Sequence, residues 1–260
     1  MIERAGMSRS TETLSTLVEM TRTLGQPHLD YVIVGEGNTS MRIDDSSFWI
    51  KASGQGMHGI DGGGFVAVKF APLLALMDNP SSDPHAAMAA AMNEAKTDPA
   101  VGLKPSVEVT FHAALLHDCG VGCIAHTHPL LVNQIMCSTR AEEFARRRLF
   151  PDQVVLCGPT SVFVPYVDPG LPLALEIRAR VRAYMDEYGE FPRVILLANH
   201  GLIALGQTPK DALNVTAMCV KAAGIFVGAC SIGAPTFMSE ADIHHIYKRP
   251  DEIYRRKLFE

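Results

Sequence analysis

The stretch Ile124-Ala125-His126-Thr127-His128-Pro129 constrains the fold more than any other part of the chain. Its two histidines sit two apart at the end of an apolar run. Residues i and i+2 of a β-strand point to the same face, so both imidazoles aim at one point. That arrangement is half a metal site. A catalytic zinc centre typically has three protein ligands and one open position, so a third imidazole or a carboxylate has to come from elsewhere in the chain.

At 260 residues the chain has room for one large α/β domain or two small ones, and its 47% hydrophobic and 20% charged content is that of an ordinary globular protein. The formal net charge is -5, and the basic clusters Arg146-Arg147-Arg148, Lys248-Arg249 and Arg255-Arg256-Lys257 are short. That balance argues against a phosphate-backbone partner, so no nucleic acid is expected. The six cysteines include no Cys-x-x-Cys pair, and the chain opens without a charged-then-apolar leader, so a reduced, cytoplasmic protein is expected. The longest apolar stretch, Val215 to Met238, is interrupted by Lys221, diluted by Gly224, Gly228 and Gly233, and stopped by Pro235. It reads as a buried or subunit-packing helix rather than a membrane span.

In chain order, the spacing of Leu14, Leu17, Val18 and Leu24 predicts an amphipathic helix over 11–24. Short antiparallel strands are expected at 31–34, 41–43 and 48–51, and another at 65–69. A short helical piece follows near 72–77, then an alanine-rich exposed helix or insertion over 83–97. Two loops, Gly35 to Ser40 and Ala52 to Gly56, carry glycine with small hydroxyl or amide residues, a composition that lets backbone N–H groups approach an anion. Gly37-Asn38 and Ser53-Gly54 could line one pocket; two plain hairpin turns are the alternative.

Lys104-Pro105-Ser106-Val107-Glu108 opens a helix running to about His117, with Ser106 expected as its cap. That helix puts Glu108 and His112 on one face and leads straight into the strand of the histidine pair. Further on, 153–157 and 161–165 are strand-like and 171–188 reads as a long helix. The apolar strand Arg193 to Ala198 is broken by Asn199-His200-Gly201 and resumes over 202–206, which places His200 at a tight turn. Thr208 then caps a helix with Pro209 at its first position.

The combination of Pro105-Ser106-Val107-Glu108, His126-Thr127-His128-Pro129 and Asn199-His200-Gly201-Leu202, with Gly37-Asn38-Thr39-Ser40 and Lys51-Ala52-Ser53-Gly54 in the same order, resembles the class II aldolase/adducin family. The resemblance implies an α/β fold of the α+β type: one domain over 1–260, with a central, largely antiparallel sheet flanked by helices. It implies Zn2+ held by His126, His128 and His200, and Glu108 as the catalytic acid/base. Gly37, Asn38, Ser53, Gly54 and Ser106 would bind the substrate's anion, with Lys51 as an added point charge. A homo-oligomer, commonly a tetramer in that family, acting on a small sugar or sugar phosphate, is also implied. The expected reaction is reversible cleavage of a ketose 1-phosphate through a zinc-stabilised enediolate. Epimerase, dehydratase and decarboxylase chemistry on the same scaffold are the alternatives, and an adducin-like binding role is a further one.

Two positions depart from the aldolase pattern. Val107 stands where fuculose-phosphate-type aldolases have a second serine, which leaves the anchoring group open between phosphate and carboxylate. Phe150-Pro151-Asp152 stands where they place a tyrosine, so the proton donor to the aldehyde fragment is open among Asp152, Tyr166, Tyr247 and Tyr254.

Overall fold

The computed structural model describes residues 8–259, so the expectation about the opening of the chain falls in part on residues 1–7, outside those described. The first helix, α1 (Arg9–Leu24), is capped by Ser8 and buries Leu17, Met20 and Leu24. The strands β1 (Asn38–Arg42), β2 (Ser47–Lys51) and β3 (Phe65–Lys69) form a meander that leads into α2 (Phe70–Asp78), α3 (Pro84–Ala95) and α4 (Val109–Asp118). Next come β4 (Cys123–Thr127), the short helices α5 (Leu130–Met136), α6 (Ala141–Arg146) and α7 (Pro151–Cys157), and β5 (Val162–Val164). The remaining elements are α8 (Leu171–Tyr188), β6 (Val194–Leu197), β7 (Gly201–Gly206), α9 (Pro209–Ile232), α10 (Glu240–Lys248) and α11 (Pro250–Phe259).

All seven strands join one sheet in the order β3-β2-β1-β4-β7-β6-β5. Every pairing is antiparallel except β5 with β6. Alternation along each strand decides which layer a side chain enters. Ile195, Leu197, Ile203 and Leu205 pack with α2, α4 and α8 on one face. Val194, Leu196, Leu202 and Ala204 pack with α1, α5 and α9 on the other. Both faces are therefore covered, which is why β6 and β7 read as unbroken apolar runs. By length and apolarity α9 could span a bilayer; here Val215, Cys219, Ala222 and Phe226 are buried, and the helix lies across β7, α5 and α7.

Three local expectations are corrected. The stretch 153–157 is helical, not a strand: Pro151 occupies the first helical positions, Asp152 sits in the first turn, and the Leu149 N–H donates to Gln153 Oε1 at 2.8 Å. The stretch 31–34 is irregular, because the Tyr31 carbonyl accepts from the His128 N–H at 2.9 Å instead of joining a ladder. Val34 there adopts φ 52 and is 93% exposed. Lastly, α4 starts at Val109 and its N-cap is Glu108, not Ser106.

Arg148 is fully buried, with no carboxylate among its hydrogen-bond partners within the described residues. Its guanidinium donates to the carbonyls of Gly158 (2.7 Å), Ala145 (3.1 Å), Arg147 (3.0 Å) and Cys157 (3.4 Å) and to Ser161 Oγ (2.9 Å). It ties the turns around α6 and α7 to the start of β5.

Candidate metal centre and acid–base site

The central pairing of β4 with β7 builds the site. His126 lies in β4 opposite Asn38 of β1 on one side and Ile203 of β7 on the other. His128 follows just past the strand end. His200 sits in the turn that joins β6 to β7, after Asn199 at φ 54, a left-handed conformation that asparagine tolerates. Gly201 has to be glycine, since a Cβ there would lie 2.6 Å from the Thr127 carbonyl oxygen and 2.8 Å from His128 Cδ2. The strand pairing thus brings the turn of His200 against the end of the His126–His128 strand.

The three rings stand edge to face, with centroids 4.9 to 5.0 Å apart. Their ligand atoms all lie within 4.8 Å of one another, and His126 Nε2 is 3.1 Å from His128 Nε2. Tetrahedral ligation at metal–nitrogen distances near 2.0–2.1 Å requires nitrogens about 3.3 Å apart. The donor set therefore fits a divalent ion with little movement. His126 Nδ1–H donates to the Leu202 carbonyl at 3.0 Å, which fixes the ring and leaves the Nε2 lone pair facing the cluster. Glu36 Oε1 lies 3.8 Å from His128 Nδ1, on the outer side of that ring. His126 is wholly buried, while the side chains of His128 and His200 are 19% and 14% exposed, so the centre opens on their side.

Glu108 closes the other side. Oε2 lies 3.3 Å from His126 Nε2, and Oε1 lies 3.3 Å from His200 Nε2. Oε2 also accepts from Asn38 Nδ2 at 2.7 Å. Oε1 is buried without a hydrogen-bond partner among the described residues. Burial opposes the charge, but His126, His200 and Asn38 outweigh it and hold the carboxyl well below the usual range. Burial, followed by the neighbouring imidazoles, pushes His128 down to about 3 and His200 down to about 4. His126 is raised: burial works against its charge, and the Glu108 carboxylate and hydrogen bond overcome it.

The other expected residues fall around this centre in three ways. Ser106 Oγ accepts from Asn38 Nδ2 at 3.0 Å and from the Glu108 N–H at 3.3 Å, so it supports the bend that turns Glu108 inward. Asn38 is buried in β1 and bonded to Glu108. Ser53 and Gly54 are exposed at the rim, with Gly54 at φ 76 and open space where a Cβ would be. Gly37, at φ 64, has its Cα against the His126 carbonyl. Lys51 is buried; its ammonium donates to the Ala52 carbonyl at 3.4 Å and to the Gln55 carbonyl, and burial lowers it to about 8. It braces the Ser53–Gly54 loop from beneath.

The four candidate proton donors are engaged or exposed elsewhere. Asp152 pairs with Arg255 at 3.0 Å, Tyr166 donates to Asp168 at 3.0 Å, Tyr247 donates to Glu190 at 2.5 Å, and Tyr254 is 66% exposed. Two contributors, Ser40 and Glu36, lie within the Gly35 to Ser40 stretch read above but were given no role of their own there. The signal for Ser40 was its place two residues after Asn38 in a buried strand.

Residues 15–227 match the family described as the class II aldolase and adducin N-terminal domain. The chain belongs to the class II aldolase/adducin family. Among curated members of the family, it is 25% identical over 204 residues to the uncharacterised oxidoreductase YuxG of Bacillus subtilis, which covers 74% of this chain; the chain spans only 26% of that protein. It is 25% identical to the methylthioribulose-1-phosphate dehydratase of Leptospira interrogans, covering 80% of this chain and 81% of that one. The same identity holds to the 3-oxo-tetronate 4-phosphate decarboxylase of Haemophilus influenzae, over 75% of this chain and 79% of the other. Among solved structures, the N-terminal class II aldolase domain of a Thermoplasma acidophilum protein superposes with TM-score 0.64 at 25% identity, over 87% of this chain and 99% of that one. An L-fuculose 1-phosphate aldolase shares the fold at TM-score 0.69 and 17% identity, over 94% and 99%. The family thus includes an aldolase, a dehydratase and a decarboxylase on a mixed α/β domain with a central sheet flanked by helices.

Proposed function

We propose that this chain is a zinc-dependent aldehyde-lyase that reversibly cleaves a small ketose, in the first place a ketose 1-phosphate. The observation that carries the reading is the Glu108 carboxylate set 3.3 Å from two of three converging imidazoles, His126 and His200. His126, His128 and His200 would hold the ion. When bound, a divalent ion supplies Lewis acidity to a carbonyl and a neighbouring hydroxyl oxygen.

The chain's own residues supply the rest. In the direction of bond formation Glu108, ionised and out of water, takes the proton from the carbon beside the carbonyl while a separate donor protonates the aldehyde oxygen. Cleavage runs the same two transfers in reverse. Asn38 and Ser106 keep it aimed. The exposed backbone of Ser53 and Gly54 offers N–H groups to the substrate's anionic end, and Gly37, buried against His126, anchors the other loop, while Lys51 sets the height of the Ser53–Gly54 loop. The proton donor to the aldehyde fragment is sought in a second copy of the chain. Exposed apolar side chains, among them Ile232 at 92% and Leu130 at 55%, support a homo-oligomer, which we take to be a tetramer. The net charge of -5 supports a small-molecule substrate rather than nucleic acid, and a cytoplasmic setting goes with this reading.

A second reading, loss of water or carbon dioxide from a sugar phosphate, is favoured by the two relatives of comparable length, a dehydratase and a decarboxylase. The test is a product assay on zinc-loaded protein across ketose 1-phosphates, unphosphorylated ketoses and hydroxy acids, with Glu108→Gln alongside. Aldehyde release that Glu108→Gln abolishes is the expected result. Water or carbon dioxide loss without aldehyde would overturn the aldolase reading, and full turnover by Glu108→Gln would overturn the role of the carboxylate.

A further inference from the structure

β1 carries two polar side chains on one buried face. Asn38 and Ser40 are two residues apart, and so point the same way. The wholly buried ring of His112, from α4, bridges them. Ser40 Oγ lies 2.7 Å from Nδ1 of the ring, and Nε2 is hydrogen-bonded to Asn38 Oδ1. At its other end the Asn38 amide reaches Glu108 Oε2 at 2.7 Å and Ser106 Oγ at 3.0 Å. His112 sits one helical turn beyond Glu108, so the start of one helix delivers both the bridging ring and the carboxylate at the end of the row.

Donor and acceptor roles along this row are set from the Glu108 end. Asn38 turns its NH2 toward Glu108 Oε2 and Ser106 Oγ and its carbonyl toward His112. That carbonyl needs a donor, so the imidazole carries its proton on Nε2. Nδ1 is then an acceptor, and the Ser40 hydroxyl donates to it. Reversing any member sets two acceptors or two donors face to face in a buried place, where an unpaired polar group costs most. Burial, and after it the nearby His126, lowers His112 to about 3; a neutral ring has a single N–H to place.

We propose that His112 is a positioning residue for Glu108: together with Ser40 it locks the Asn38 amide so that its NH2 end faces the carboxylate. An unlocked amide can rotate by half a turn with little change in shape, and its oxygen would then push the carboxylate off the centre. The lock supplies aim, not chemistry. Its bearing on turnover rests on the acid–base reading of Glu108 above, but its existence does not.

The test uses the metal-free full chain labelled with nitrogen-15. Long-range proton–nitrogen correlation at neutral pH is expected to show His112 as the Nε2–H tautomer. The Asn38 side-chain amide protons should exchange slowly with solvent, and about tenfold or more faster in His112→Phe and in Ser40→Ala. The Nδ1–H tautomer, or unchanged exchange in whichever of these variants folds, overturns the proposal. In zinc-loaded protein the same variants should lose about tenfold to a hundredfold in kcat while KM and zinc content hold. A loss of zinc in step with kcat would assign His112 to metal retention instead and overturn the positioning role. If Glu108→Gln keeps full turnover, the acid–base reading falls alone, because tautomer and exchange are read without substrate.

Discussion

Replacing Gly37 with alanine tests how closely the turn before β1 is fitted to the strand of His126. The residue is held at φ 64, and a Cβ there would stand 2.6 Å from the His126 carbonyl oxygen, with Met57 Cε and Val32 Cγ1 at 3.0 Å. The methionine tip can give way; the carbonyl is fixed in the β4 ladder. The left-handed backbone alone costs an alanine about 1–2 kcal/mol, and forced overpacking adds about 1–3 kcal/mol. Gly37→Ala should therefore destabilise by about 2–5 kcal/mol, a large part of the roughly 5–15 kcal/mol that holds a domain folded. Gly54→Ala is the control, since that residue is also left-handed, at φ 76, but has no atom within 4 Å of the new methyl; it should cost about 1–2 kcal/mol. Urea unfolding separates them, with the Gly37→Ala midpoint falling by roughly 1–2 M at the m-values usual for chains of this size. Zinc affinity, measured by competition with a chromogenic chelator, should weaken in Gly37→Ala and hold in Gly54→Ala, because only the first pushes on a ligand's own backbone. Equal midpoints for the two variants would refute the reasoning.

The metal-free protein should lose stability in mild acid. The unfolded chain takes up protons near pH 6.5 that folded His112, lowered to about 3, refuses, so the unfolded state binds more protons and stability falls as pH drops, by about 2 kcal/mol at pH 5 for this one group. His128 and His200, lowered to about 3 and about 4, act in the same direction; a urea midpoint that does not move between neutral pH and pH 5 would contradict this. Arg148→Met should destabilise by about 3–5 kcal/mol, because it strips donors from four carbonyls, three of them in buried bonds, and a buried hydroxyl at once. A loss under about 1 kcal/mol in urea unfolding would show that water takes over those bonds.

Much of the centre was legible because its residues obey local rules. His126 and His128 share a strand face, His200 sits in a turn between two apolar strands, and the long helix read over 171–188 is α8 (Leu171–Tyr188). What escaped depended on partners far along the chain. Ser106 looked like a helix cap, and its hydroxyl is instead taken by Asn38, with Glu108 left at the cap position. Tyr31 to Val34 has the composition of a strand, but its backbone is spent on His128. Val154-Val155 favours a strand by branching, and Pro151 with the Gln153 side chain starts a helix over it. Lys51 invited reading as a charge for the substrate; the packing of the loop above it turned its ammonium onto carbonyls.

The pairing of β4 with β7 has a consequence for how the protein matures. His126 and His200 are neighbours through the ladder between β4 and β7, strands separated in sequence by everything from α5 to β6. Such distant contacts form late, since loop closure has to be met before they reward it. An ion cannot template this chain from the start, as it can in a small zinc finger whose ligands lie within a few dozen residues. It can only seal a sheet that has already assembled, and from then on it draws its hold from the closed form alone, stabilising it in proportion to the logarithm of free metal. A loaded centre is therefore a certificate of a finished molecule.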